Sequence, residues 1–119
     1  MDENKKRELV DAGGNVDSAL DRFMGNEKLL MRFLLKFSND TNYERLKTAM
    51  EKEDYKEAFE GAHALKGLSG NLSLDALYEA AGKVTEGLRH ENYEEAKEWM
   101  PKVTEEYERT AKVLNTLEG

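Results

Sequence analysis

The residues best suited to chemistry lie in the stretch AHALKGLSGN, residues 62–71, where His63 is followed by Lys66, Gly67 and Gly70. On an α-helix each residue advances about 100°, so with Ala62 centred on a buried face His63 falls at about 100°, Gly70 at about 80°, Gly67 at about 140° and Lys66 at about 40°. His63 is thereby placed on the border between core and solvent, with both glycines on its own strip and the lysine on the next. Each glycine inside a helix costs roughly 0.5–1 kcal/mol relative to alanine, so the pair needs a reason. Without side chains at Gly67 and Gly70, another molecule can approach the imidazole from the C-terminal side. Lys66, one turn on, can bring its ammonium to an anion that the ring carries. The pattern suits a covalent phosphate acceptor. It also suits a packed or solvated histidine beside two tolerated defects, which is what a lone histidine on a helix usually is, and the spacing alone leaves both readings open.

Other chemistries are poorly served. The chain has no cysteine, which excludes disulfides, thiolate metal sites and a cysteine nucleophile. The second histidine, His90, falls at a helix end far along the chain, without metal-ligand spacing to His63; no metal and no cofactor are expected, and His90 is assigned no chemistry. There is no glycine-rich nucleotide loop of Walker form. With 25 acidic and 18 basic residues the net charge is −7, and both signs alternate along the chain without a basic stripe, so nucleic acid is not an expected partner. The start, Met1 to Arg7, leads into no apolar run, and the longest apolar stretches fall far short of the ~20 residues that a membrane span needs. The expectation is a cytoplasmic protein that engages no membrane. At 119 residues it fits a single domain, 1–119, able to bury about 65% of its unfolded surface.

The elements that would position His63 are helices. Apolar residues recur at helical spacing nearly throughout, and Pro101 is the sole proline. Thr41-x-x-Glu44 has capping-box form, and Asp54-x-x-Glu57 and Asn92-x-x-Glu95 follow the same logic. Weak helices near residues 5–11 and 16–23, separated by Gly13-Gly14, predict a short N-terminal cap of about 5–24. A helix opening at Gly25-Asn26 and running through Phe37 is expected to continue, bent at Ser38-Asn39-Asp40, into Thr41–Glu51 as one long element. Asp54 to about Gly70 carries Tyr55, Ala58, Phe59, Ala62, Leu65 and Ser69 on its core face. Ser73 is placed to cap the next helix, whose core face is Leu74, Leu77, Tyr78, Ala81, Val84 and Leu88. Beyond His90-Glu91-Asn92, a long helix that Pro101 is expected to kink by removing one backbone bond is lined by Tyr93, Ala96, Met100, Val103, Tyr107, Leu114 and Leu117. The fold class is all-α: an antiparallel up-down four-helix bundle, core about 27–117, with the N-terminal helical cap.

The run His63-Ala64-Leu65-Lys66-Gly67 resembles the core motif of histidine-containing phosphotransfer (HPt) domains, in which leucine, lysine and glycine follow the histidine at these offsets. Upstream, RFMGNEKLLMRFLLKF (Arg22 to Phe37) is similar to the family's arginine, glycine turn and leucine- and phenylalanine-rich helix. Downstream, LYEAAGKVTEGL (Leu77 to Leu88) is similar to the helix after the histidine helix. The likeness covers roughly residues 16–117. Two positions depart from it: Leu68 stands where the family often has serine, and Ser73 where a second glycine is common. The resemblance implies a phosphocarrier and not a kinase. His63 would be phosphorylated by a receiver-domain phospho-aspartate and pass the group to another receiver, Lys66 would stabilise the phosphoryl group, and Gly67 and Gly70 would leave clearance for the receiver. Response-regulator receivers and hybrid sensor histidine kinases are the implied partners.

From Leu29 to Phe37 the helix is more apolar than one buried stripe requires. Leu29, Leu30, Phe33, Leu34 and Phe37 span the expected core arc, which leaves Met31 and Leu35 as an i,i+4 pair on another side. These two are either covered by the N-terminal cap or form a docking patch, extended by Leu68 on the neighbouring helix. The rival reading of the whole chain is a non-catalytic helical protein-binding module, in which the glycines permit close helix contact and His63 is incidental.

Overall fold

The computed structural model describes residues 2–117, with side chains as far as Thr116. These residues form α1 (Glu3–Asp11), α2 (Val16–Arg22), α3 (Glu27–Ser38), α4 (Asn42–Glu51), α5 (Tyr55–Asn71), α6 (Asp75–Arg89) and α7 (Tyr93–Leu117). The described residues include no strand, so the chain is the all-helical bundle that its periodicity implies. Side-chain caps start helices where expected: Asp54 accepts from the Glu57 N–H at 3.3 Å, and Asn92 from the Glu95 N–H at 3.2 Å. Asn15 and Asn26 do the same for α2 and α3.

The connections α4–α5, α5–α6 and α6–α7 repeat one turn. The central residue, Glu53, Ser73 or Glu91, takes a left-handed φ of 57°, 53° or 57°. The next residue's N–H then reaches back over the helix end, Asp54 to the Ala49 carbonyl at 2.9 Å, Leu74 to Ser69 at 2.9 Å and Asn92 to Gly87 at 2.7 Å. A non-glycine residue in that conformation costs roughly 1–2 kcal/mol, partly offset by glycine's larger entropy loss on folding. Glu53→Gly and Glu91→Gly, both at exposed positions, are each expected to stabilise the chain by up to about 1 kcal/mol. The measurement is a rise in urea midpoint at unchanged m-value.

Helices α4 to α7 lie each against the next, and α3 and α4 both touch α7. The approach is close at Gly61, where a methyl group would stand 3.1 Å from the Leu46 nitrogen, and at Gly87, where it would stand 3.0 Å from that of Ala96. Leu30, Leu46, Leu65, Leu77, Val84, Val103 and Leu114 are fully buried between these helices. Stacked rings fasten α7 to its neighbours: Tyr55 on Tyr93 at 3.9 Å between centroids and Tyr43 on Tyr107 at 4.1 Å, with the Tyr43 hydroxyl donating to Thr104 Oγ1 at 2.9 Å. Leu117, expected on the same stripe as Leu114, has its side chain outside the described residues. Helix α7 runs through Pro101 without interruption.

The N-terminal segment is tied to the rest at two places. Along α7, Lys5 Nζ donates to Thr116 Oγ1 at 2.9 Å and the Arg109 guanidinium donates to the Asp11 carbonyl. At the α5–α6 turn, the Asn15 N–H donates to the Ser73 carbonyl at 2.8 Å, the Ala76 N–H to the Gly13 carbonyl at 3.1 Å and the Ser73 hydroxyl to Ser18 Oγ at 3.0 Å.

Four local expectations are corrected. α3 and α4 are separate helices rather than one bent element, because polar side chains at the junction take over backbone groups. Ser38 Oγ and Asn39 Nδ2 both donate to the Leu35 carbonyl, at 2.6 and 3.3 Å, and Asp40 Oδ2 accepts from the Asn42 N–H at 2.8 Å. Asp40 thus does the work assigned to Thr41, which makes no side-chain cap. Ser73 does not cap α6 either; its left-handed backbone and its bond to Ser18 turn the hydroxyl away. Finally, Leu30, Leu34 and Phe37 form the buried face of α3, while Phe33 is 41% exposed and Leu29 only half-buried.

Candidate functional site

His63 is exposed on α5 between Ala62 and Ala64, while Ala62 and Leu65 are fully buried beneath it. Its ring stacks on Phe59, one turn earlier, with centroids 5.7 Å apart and planes 12° from parallel. Phe59 packs against the core and holds the Arg89 guanidinium carbon 5.4 Å from its own centroid. The imidazole is thus fixed by ring contact. Among the described residues neither of its nitrogens has a hydrogen-bond or ion-pair partner, so both lone-pair and N–H positions are open to an incoming group.

The imidazole borders a cleft of about 430 Å³ that gathers His63, Lys66, Gly67, Gly70 and Asn71 of α5, Asp75 and Tyr78 of α6, and Arg22 at the end of α2. Gly67 is helical, and a methyl group there would find nothing within 4 Å. Gly70 lines the same cleft, but its missing side chain is accounted for within the chain. A methyl group at Gly70 would stand 3.0 Å from Cδ2 and Cε2 of Tyr78. Tyr78 is therefore not the core residue that periodicity implies; it is 43% exposed and lies against α5. The Lys66 Nζ rests 5.8 Å from the Tyr78 ring centroid. Lys66 makes no ion pair among the described residues, so its charge stays available to an anion in the cleft.

The three candidate docking residues do not form one patch. Leu68 lines an apolar groove of about 560 Å³ with Phe23, Phe33, Phe37 and Leu72, rimmed by Arg22, Lys36, Asp40 and Asn71. Arg22 and Asn71 also border the His63 cleft, so the two hollows adjoin. Met31 and Leu35 are half-buried and line a separate depression with Glu27, Lys28 and Arg32. The exposed aromatic of α3 is Phe33, in ring contact with Phe23 at 5.3 Å. His90 stays apart from the cleft, its Nε2 lying 3.3 Å from Glu86 Oε2. Among the described residues no cluster of three or more potential ligands is gathered for a metal ion, and no helix is long and apolar enough to cross a membrane.

The Hpt domain family model matches residues 31–113 of the 119. This chain belongs to the Hpt domain family. The matched span contains the whole of α4, α5 and α6, and with them His63, Lys66, Gly67 and Tyr78. Hpt domains are phosphocarriers of two-component signalling that work with receiver domains, which places the chain in phosphotransfer. No curated protein and no solved structure matches it. Asn71, Asp75 and Tyr78 join the cleft without having been named as site residues, and so does Arg22, which the resemblance marks only as the family's arginine. For Tyr78 a signal existed: Gly70 and Tyr78 stand equally far before and after Leu74 in the α5–α6 turn, so two helices folded back there bring them opposite each other.

Proposed function

We propose that this Hpt protein carries a phosphoryl group on His63, taking it from the phospho-aspartate of one receiver domain and giving it to the aspartate of another. The supporting observation is the state of the imidazole, exposed and without a hydrogen bond among the described residues but stacked on Phe59 at the open edge of a cleft. In the forward step an unprotonated ring nitrogen forms the N–P bond with its lone pair. The P–O bond breaks, the aspartate carboxylate leaves with that pair, and the ring holds the positive charge until its remaining N–H proton is released. Phosphoryl transfer of this kind passes through a loose transition state that needs alignment and charge neutralisation more than side-chain chemistry. Alignment comes from the ring stack, and neutralisation from Lys66. Gly67 leaves room for the receiver beside the ring. Leu68, with Phe23 and Phe33 in the adjoining groove, is the docking surface we favour over Met31 and Leu35, because that groove shares Arg22 and Asn71 with the cleft and theirs shares no lining residue with it. The chain works as one cytoplasmic domain, 1–119, with the bundle core at about 27–117 and the cap at about 5–24, and draws its phosphate from receivers or hybrid kinases rather than from nucleotide.

The test is incubation with a phosphorylated receiver, followed by assay for phosphate that is acid-labile and base-stable on this chain. Labelling supports the carrier; stable binding of the receiver with no label would favour the protein-binding module instead. Lys66→Ala is expected to slow labelling about tenfold to a hundredfold without abolishing it, since a charge-assisted contact contributes about 1.5–3 kcal/mol. An unchanged rate at saturating receiver would make Lys66 a bystander.

A further inference from the structure

The helix next to His63 carries a device for the lysine. Lys66 and Tyr78 are exchanged between α5 and α6, each lying where the opposite helix has a glycine. A methyl group at Gly82 would touch the Lys66 stem, 3.7 Å from Cε and 3.9 Å from Cδ, so the stem runs across bare α6 backbone. The Tyr78 ring lies closer still on bare α5 backbone at Gly70, where a methyl group would stand 3.0 Å from it. The pairings are symmetric about the turn: Gly70 and Tyr78 are four residues either side of Leu74, and Lys66 and Gly82 are eight. The crossing brings the Lys66 ammonium to 5.8 Å from the Tyr78 ring centroid.

We infer that Tyr78 and Gly82 are positioning residues that hold the Lys66 ammonium in the His63 cleft before a phosphoryl group arrives; this rests on the phosphocarrier reading above. A free lysine side chain samples many rotamers and must give them up when it engages an anion. Here that ordering is done in advance by the glycine track and the ring face. The choice of partner matters as well. A carboxylate would order the lysine but cancel its charge, whereas an aromatic face attracts the cation through its quadrupole and leaves the charge in place. Asp75, the carboxylate that lines the cleft, makes no ion pair with Lys66. Preorganised charge aimed at the place where charge develops lowers a barrier without reorganisation during the step.

The experiment follows His63 labelling by phosphoramidate and, separately, by a phosphorylated receiver. With phosphoramidate the imidazole N–P bond forms as the donor P–N bond breaks and ammonia leaves with the bonding pair, so no docking contact intervenes. Tyr78→Leu keeps apolar bulk over Gly70 but removes the ring face, and is expected to slow labelling by both donors roughly threefold to tenfold. Tyr78→Phe restores most of the rate. Gly82→Leu, which obstructs the stem from the other side, slows labelling to a similar degree and serves as the second variant should Tyr78→Leu fold poorly. In a Lys66→Ala background neither change has a further effect, because the residue they position is gone. Wild-type rates in Tyr78→Leu and Gly82→Leu would overturn the inference, as would a slowing that persists without the lysine or that is confined to the receiver. Absence of labelling in the wild type with both donors is a separate result that removes the phosphocarrier reading, and the inference with it.

Discussion

His63→Gln is expected to eliminate phosphoryl uptake while leaving the bundle folded. Glutamine keeps a polar side chain of similar reach, but its amide nitrogen has no available lone pair, so no N–P bond forms. The structural cost is small because the ring is exposed and its contact is with one face of Phe59, which itself remains packed against the core. Substitutions at exposed positions usually change stability by no more than about 0.5 kcal/mol, or a few degrees in Tm for a chain of this size. His90→Gln is the control: its partner is Glu86, it borders no part of the cleft, and it should label like the wild type. Acid-labile labelling of His63→Gln at the normal rate would remove the central claim and leave the fold untouched.

The contrast between His63 and Tyr78 shows how far the sequence can be read. Helical periodicity places a residue on an angular sector of its own helix, which suffices for Ala58, Ala62 and Leu65 because a fully buried face admits no exceptions. It fails for residues at the sector's edge, where the neighbouring helix decides. Tyr78 and Phe33 both fall within apolar arcs by spacing, yet Tyr78 rests on the gap at Gly70 and Phe33 turns toward Phe23. The junction of α3 and α4 fails for another reason. Ser38, Asn39 and Asp40 can each satisfy helix or turn, and only hydrogen bonds to the Leu35 carbonyl and the Asn42 N–H show which they choose. Motif offsets gather His63, Lys66 and Gly67 because all three belong to one helix. Arg22 reaches the cleft through the α2–α3 turn and Asp75 from beyond the α5–α6 turn, over a path that no local spacing encodes.

Two glycines that look alike as helix breakers should respond oppositely to the same change. Gly67 is helical with open space beside it, so Gly67→Ala adds helix propensity and reduces the disorder of the unfolded chain, a gain of up to roughly 1 kcal/mol. Gly13 has φ +94°, and a methyl group there would lie 2.5 Å from the Ala76 Cβ and 3.2 Å from Oε2 of the buried Glu106. Gly13→Ala therefore meets a conformational cost of about 1–2 kcal/mol and an overpacking cost of about 1–3 kcal/mol, for a loss near 3 kcal/mol and a fall in Tm of about 10 °C. Strain at Gly13 also pushes on the bond by which its carbonyl accepts the Ala76 N–H, one of those that fasten the N-terminal segment to the α5–α6 turn. The rate separates the two positions again. In Gly67→Gln a side chain projects one turn beyond His63 into the receiver's space, so a more stable protein should transfer more slowly, and more slowly than Gly67→Ala. A Gly67→Gln variant with full transfer rate would refute clearance as the reason for that glycine, and a Gly13→Ala variant as stable as the wild type would show that the turn repacks around the added methyl group.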